Sequence, residues 1–328
     1  MYAHMMHDKI IIIYGPTGVG KTDLSLALAE KFPIEIINGD LGQFYVPLSI
    51  GTAKPDWRHE AVAHHLFDVL DKPENFTVVQ YRALLLQKVA DIQARGKIPV
   101  IVGGSGFYIK SLFFPPKNCD DVVENHQQEE SVYRHCSNQE LWQLLESKDA
   151  QRAQKLYVTD RYRIERALAL LDRGIVPSAC QPDYISLDSD VLLVFCNRPR
   201  EQLKERIKKR TESMLLAGWL HEVSTILLHD KMDVWKKFLT RKKLIGYPEC
   251  IAYLESEQHP KDKALLIEII QNKTWQYAKR QITFWKTVEK QLNAWFTYPS
   301  CAQEIFLSQE GSVAQFMETV RNFIEAKK

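Results

Sequence analysis

The chain has no paired-cysteine signature. Its six cysteines (Cys119, Cys136, Cys180, Cys196, Cys250 and Cys301) are scattered, with no Cys-x-x-Cys. That excludes a zinc ribbon and a disulfide framework, and it points to a reducing compartment. Long apolar runs are missing too. The four isoleucines at 10–13 fall far short of the ~20 apolar residues that a spanning helix needs. Residues 1–8 carry no apolar h-region of a secretory leader. Neither sign of charge dominates. The formal net charge is +2, so any surface for a polyanion has to be local. Internal repeats, low-complexity tracts, obvious flexible linkers and coiled-coil heptads are also absent. The expectation is a soluble cytoplasmic protein, with no membrane contact and no evident dimer signal, hence a monomer.

What is present is enough apolar content, 45% of 328 residues, to fill a globular core. The length suggests one large domain with an elaboration, or two domains. Short β-branched runs at 9–14, 35–38, 98–102 and 191–196 read as buried parallel strands. Helical spacing predicts helices at 22–31, 76–95, 160–173, 204–228, 247–255, 263–289 and 312–326. Strands alternating with helices imply an α/β parallel sheet covered on both faces. Residues 1–116 read as the first part of this core and 191–328 as its completion with C-terminal helices. Between them, 117–190 is polar and reads as an inserted, mainly helical region. The segment 299–328 has no motif and no Cys/His spacing for zinc.

The most specific feature is Gly15-Pro16-Thr17-Gly18-Val19-Gly20-Lys21-Thr22, between a predicted strand and a predicted helix. That context makes it a phosphate-binding loop. Glycines let successive N–H groups turn inward as an anion nest, and the helix N-terminus adds partial positive charge. Lys21 supplies a point charge, and the Thr22 hydroxyl can reach a phosphate or a Mg²⁺ ion. The loop alone does not say what carries the phosphates.

Asp40 follows the second strand, where an open parallel sheet faces its ligand crevice. It reads equally as a base at that crevice or as a turn and capping aspartate. The polar stretch after it, with Gln43, Tyr45, Gly51-Thr52-Ala53-Lys54-Pro55 and His64-His65, favours the crevice. His64-His65 has no partner ligands at useful spacing for a metal, and His65 reads more readily as a structural histidine.

Together these blocks resemble the bacterial tRNA dimethylallyltransferase (tRNA isopentenyltransferase) family. The resemblance is carried by residues 15–22, by Asp40-Leu41-Gly42-Gln43-Phe44-Tyr45, and by Ile50-Gly51-Thr52-Ala53-Lys54-Pro55. His64-His65-Leu66-Phe67-Asp68, Val102-Gly103-Gly104-Ser105-Gly106-Phe107-Tyr108, residues 160–168, Ile245-Gly246-Tyr247 and residues 276–285 (QYAKRQITFW) extend it. It implies a P-loop NTPase-like sheet with an inserted helical tRNA-binding region. It implies transfer of a dimethylallyl group from dimethylallyl diphosphate to the exocyclic N6 amine of the adenosine beside the anticodon. Asp40 is then the general base, with Ser105 keeping a hydroxyl nearby. Residues 15–22, Mg²⁺ on Thr22, and Arg210 stabilise the leaving diphosphate, and Arg206, one turn earlier on the helix, can share that role. Contacts to the tRNA anticodon stem-loop are implied for Asp40, Leu41, Gly42, Gln43, Ser105, Tyr162, Arg163, Arg166, Lys243, Gly246, Tyr247, Lys279, Arg280 and Gln281. The chain departs from the family pattern at Leu41 (serine), Ser105 (threonine), Tyr162 within 160–163, and Trp275 (arginine).

Basic clusters at 198–210, at Lys236, Lys237, Arg241, Lys242 and Lys243, and at Lys279, Arg280 and Lys286 interleave with Trp275, Tyr277, Phe284 and Trp285. They read either as a groove that tracks a backbone and stacks unpaired bases, or as ordinary amphipathic helices. The rival function is a P-loop small-metabolite kinase with Asp40 as its base. The long basic, aromatic helical stretch beyond residue 200 is more than a compact kinase needs.

Overall fold

The structure is a computed structural model. It describes residues 9–115, 132–180, 184–185, 187–230, 232–256, 262–293, 302–307 and 311–326. The chain forms two compact units. One draws on Met1–Asn75, Leu84–Ile109 and Leu187–Lys328; the other comprises Phe76–Ala83 and Lys110–Ser186. The inserted region read at 117–190 falls within and just beyond the second, which also takes in Phe76–Ala83. Its part at 117–131 lies outside the described residues.

The first unit holds a six-stranded, all-parallel sheet. Its strands are β1 (Lys9–Tyr14), β2 (Ile34–Asn38), β3 (His64–His65), β4 (Ile98–Gly103), β5 (Asp190–Asn197) and β6 (Ala302–Phe306). Their order is β3-β2-β4-β1-β5-β6. Every residue of β1 is buried, because it is central and covered on both faces. Ile11 pairs with Val100 on one side and Leu192 on the other. The period of two puts Ile11, Ile13, Val100, Leu192 and Val194 in one core layer. Helix α1 (Lys21–Ala29) adds Leu24 and Leu28 to that layer, one turn apart.

Two strands escaped the sequence reading. β3 has only two residues. β6 lies in the unassigned C-terminal segment, and it pairs with β5 from Leu193↔Ala302 to Asn197↔Phe306. The segment closes the sheet edge. The last helix then packs Phe316, Met317, Val320 and Ile324 onto the core, and the buried Lys9 amine caps it by donating to Phe323 O at 2.6 Å.

The remaining helices are α2 (Val78–Ala94), α3 (Gly106–Phe113), α4 (Asn138–Lys148), α5 (Ala150–Ala153), α6 (Arg161–Leu171), α7 (Arg200–Leu216), α8 (Trp219–His229), α9 (Val234–Lys242), α10 (Tyr247–Glu255), α11 (Lys263–Asn293) and α12 (Ser312–Glu325). The helix expected over 204–228 is two helices, α7 and α8. Gly218 breaks it with φ 101°, in the left-handed region. In the second unit, α4 to α6 close a small core of Leu141, Leu145, Ile164, Ala167 and Leu168. Among the described residues no helix is long and apolar enough to cross a membrane.

Candidate active site

The carboxyl ends of β1, β2, β4 and β5 carry, in turn, the loop 15–20, Asp40, Gly104-Ser105 and Arg198. A parallel sheet gathers ligand-binding loops at this edge. The glycine loop runs from β1 into α1, and Gly20 takes φ 110° as the helix cap. Lys21 is buried, and its Nζ donates to Gly15 O at 3.0 Å and Pro16 O at 3.2 Å. Burial lowers its pKa; the Asp40 carboxylate opposes this and Arg210 adds to it.

Three arginines surround the loop, with different tasks. Arg198 Nε donates to Val19 O at 2.7 Å, and Arg206 Nε donates to Gly18 O at 2.7 Å. Arg206 therefore braces the loop backbone and also pairs with Asp23 at 3.7 Å, so its guanidinium is engaged by the protein. Arg210 is half-buried, and among the described residues no hydrogen-bond or ion-pair partner reaches its guanidinium. Burial lowers its pKa, against the pull of Asp40. A half-buried guanidinium with no hydrogen-bonded carboxylate favours an arriving anion.

Asp40 stands at the start of a 3₁₀ turn (Leu41–Phe44) but makes no capping bond. Its Oδ1 accepts instead from Gly104 N–H at 2.6 Å and from the Ser105 hydroxyl at 3.4 Å. Among the described residues Oδ2 has no hydrogen-bond partner. Ser105 Oγ also accepts from Leu41 N at 3.3 Å. Burial first, then the nearby Asp40, pushes the Tyr277 hydroxyl up to about 12, so it remains a protonated donor.

Gln281 ties these loops together from α11. Its Oε1 accepts from Thr17 N at 2.9 Å, and its Nε2 donates to Gly104 O at 2.8 Å. A Cβ at position 104 would stand 2.3 Å from that nitrogen, so a side chain there would displace the Gln281 amide.

Two cavities flank Asp40. The smaller, of about 360 Å³, is lined by loop residues Gly18, Gly20, Lys21 and Thr22, with His64 and Phe67. The larger, of about 590 Å³, is lined by Ser105, Phe107, Tyr277, Gln281 and Phe284. Thr17, Lys21, Asp40, Gln43 and Arg210 line both.

Other nominated residues take less direct places. The Gln43 amide nitrogen donates to Thr52 O and Ala53 O, so it holds its own loop. Leu41 and Gly42 line the larger cavity. Gly246 and Tyr247 are buried, and the Tyr247 hydroxyl donates to Glu222 at 2.8 Å. Glu222, which the sequence did not single out, also accepts from Ser49, Ile50 and Gly51 N–H groups and so clasps the Ile50–Gly51 turn. Lys243, Lys279 and Arg280 are exposed. Trp285 is not a stacking position: it is buried, stacked on Phe195 at 5.0 Å. Trp275 is half-buried, with Arg200, Lys204 and Lys279 over its ring. On α6, Tyr162 and Arg163 are exposed and Arg166 is half-buried. Arg163 pairs with Asp160 at 3.0 Å. His65 Nε2 lies 2.6 Å from Glu35, a structural partner.

Comparison with known proteins converges on one family. The family model described as IPP transferase matches residues 43–288. The tRNA dimethylallyltransferase of Finegoldia magna is 34% identical over 289 residues, covering 86% of this chain and 89% of that protein. The tRNA dimethylallyltransferase 1 of Citrifermentans bemidjiense is 35% identical, covering 94% and 97%. A eukaryotic dimethylallyltransferase, solved acting on tRNA, is similar with a TM-score of 0.77 at 25% identity, covering 98% of this chain and 80% of that one.

Proposed function

The chain belongs to the IPP transferase family, and from that premise we propose that it moves a dimethylallyl group from dimethylallyl diphosphate to the N6 amine of the adenosine beside the anticodon in tRNA, releasing diphosphate. The observation that carries this reading is the position of Asp40 where two cavities meet. Displacement at carbon needs its nucleophile and leaving group on opposite sides. The diphosphate fits the smaller cavity, on the glycine loop, and the adenine fits the larger.

In the transfer, the N6–C1 bond forms as the allylic C1–O bond breaks, and the electron pair leaves with the diphosphate. The amine lone pair is delocalised into the purine, so the nucleophile is weak. Asp40 Oδ2 accepts the N6 proton as the bond forms, while Gly104 N–H and Ser105 fix Oδ1. Lys21, the loop N–H groups and the unpartnered Arg210 meet the charge that develops on the diphosphate. The stacked adenine has to swing out of the anticodon loop to reach Asp40. Lys243, Lys279 and Arg280, with Tyr162, Arg163 and Arg166 of the second unit, serve RNA contact in this reading. Gly246, Tyr247 and Gln281 act by holding the loops.

A Mg²⁺ ion fits the smaller cavity. The Thr22 side chain is exposed there, with Asp23 and Ser25 on the same lining. The Thr22 hydroxyl and the Asp23 carboxylate are hard oxygen donors that would hold the ion. When bound, it neutralises charge on the diphosphate.

The test is to incubate the protein with unmodified tRNA, dimethylallyl diphosphate and Mg²⁺, digest the RNA, and analyse nucleosides by mass spectrometry. Prenylated adenosine supports the proposal. Absence of product, with ATP turnover on a small metabolite, contradicts it.

A further inference from the structure

Of the α11 aromatic residues that looked available for stacking, Trp285 is buried and Trp275, Tyr277 and Phe284 are half-buried, whereas one ring at the larger cavity stands mostly in solvent. Phe107 is 57% exposed while lining that cavity. Tyr14, Tyr108, Trp219 and Tyr247 on the same walls are buried, and Tyr277 and Phe284 are half-buried. Phe107 makes no ring contact among the described residues.

Its neighbours impose this exposure. Ser105 is committed to Asp40 and Leu41. Tyr108 sets its edge against Phe44, with ring centroids 5.8 Å apart, and Ile109 and Leu112 fill the inner face of α3. The Phe284 ring already occupies the space beside Gly106, 2.5 Å from where a Cβ would stand. Residue 107 is left to face outward, two positions from the hydroxyl that touches the base.

We propose that Phe107 is a positioning residue that stacks on the RNA base flanking the extruded adenine. The inference rests on the larger cavity being the adenosine site. An adenine whose amine reaches Asp40 lies inside the cavity, so a ring on the outer lip meets the adjoining nucleotide. That base loses a stacking neighbour when the adenine leaves, and an exposed phenyl face replaces it. Unpaired RNA bases are held on aromatic side chains in this way.

The test uses the full chain and an anticodon stem-loop with 2-aminopurine beside the target adenosine, on each side in turn. One aromatic stacking contact corresponds to about a tenfold change in affinity. Phe107→Leu keeps apolar bulk without a flat face. It is expected to raise the Kd and KM for the stem-loop about tenfold, with a much smaller change in kcat. On one side of the target, 2-aminopurine should be quenched in the parent complex and brighten in the Phe107→Leu complex, while Phe107→Trp restores both affinity and quenching. Equal affinity and quenching for parent and Phe107→Leu would overturn the inference alone. A parent protein that neither binds nor prenylates the unlabelled stem-loop would overturn the adenosine-site reading as well.

Discussion

Gln281 Nε2 donates to the Gly104 carbonyl oxygen at 2.8 Å, and the Gly104 N–H donates in turn to Asp40 Oδ1 at 2.6 Å. The other end of the same carboxamide accepts from Thr17 N–H. One residue of α11 therefore sets the spacing between the phosphate-binding loop and the proposed base. Gln281→Glu keeps the size but loses the donor to Gly104 and sets two oxygens against each other. We expect kcat to fall about 10²-fold, as a misplacement of about 1 Å produces. Steady-state kinetics with a parallel thermal melt would separate this from unfolding.

Lys54, in the Ile50–Pro55 block, plays a structural part. It is buried against Asp68 and donates to Tyr45 O at 2.8 Å. Trp57 and Arg58 also reach Asp68, at 3.2 and 2.7 Å. Lys54→Met removes one partner of a buried pair, and we expect a loss of about 3 kcal/mol of stability. Urea denaturation would measure it. Activity per folded molecule should stay within a few-fold of the parent.

Glu35 gives the fold a dependence on pH. Burial works to raise its pKa, but hydrogen bonds from Arg95, His65 and Lys97 outweigh that and hold it at about 2, below its ordinary 4.5. A depressed carboxyl stabilises the fold above its unfolded pKa. The contribution is lost as pH falls from about 4.5 toward 2. It is worth up to about 3 kcal/mol at neutral pH, from the size of the shift. Denaturation of the parent and Glu35→Gln between pH 7 and 3 should show the parent's advantage shrinking as the solution becomes more acid. A constant difference would contradict the assignment.

Local patterns carried the glycine loop, the four interior strands and Asp40, because each is a short buried run or a strand end with its own signature. β3 and β6 depend on pairing with distant strands, and β3 is too short to show a period. The split at Gly218 needed a backbone angle that a single glycine inside a helical pattern only hints at. Gln281 and Glu222 act across long separations, on Thr17 and on the Ile50–Gly51 turn. No spacing rule exposes that. The stripe Ile270, Thr274, Tyr277, Gln281 and Phe284 on α11 does line one cavity at helical spacing. It is readable only once that face is known to be the inner one.

In the proposed transfer Asp40, where the two cavities meet, takes the proton from the attacking amine. Single-turnover prenyl transfer by Asp40→Asn, with stem-loop and dimethylallyl diphosphate both saturating, tests it most directly. The expected rate is about 10²–10⁴-fold below the parent, with stem-loop affinity changed only a few-fold. A transfer rate within a few-fold of the parent would contradict it.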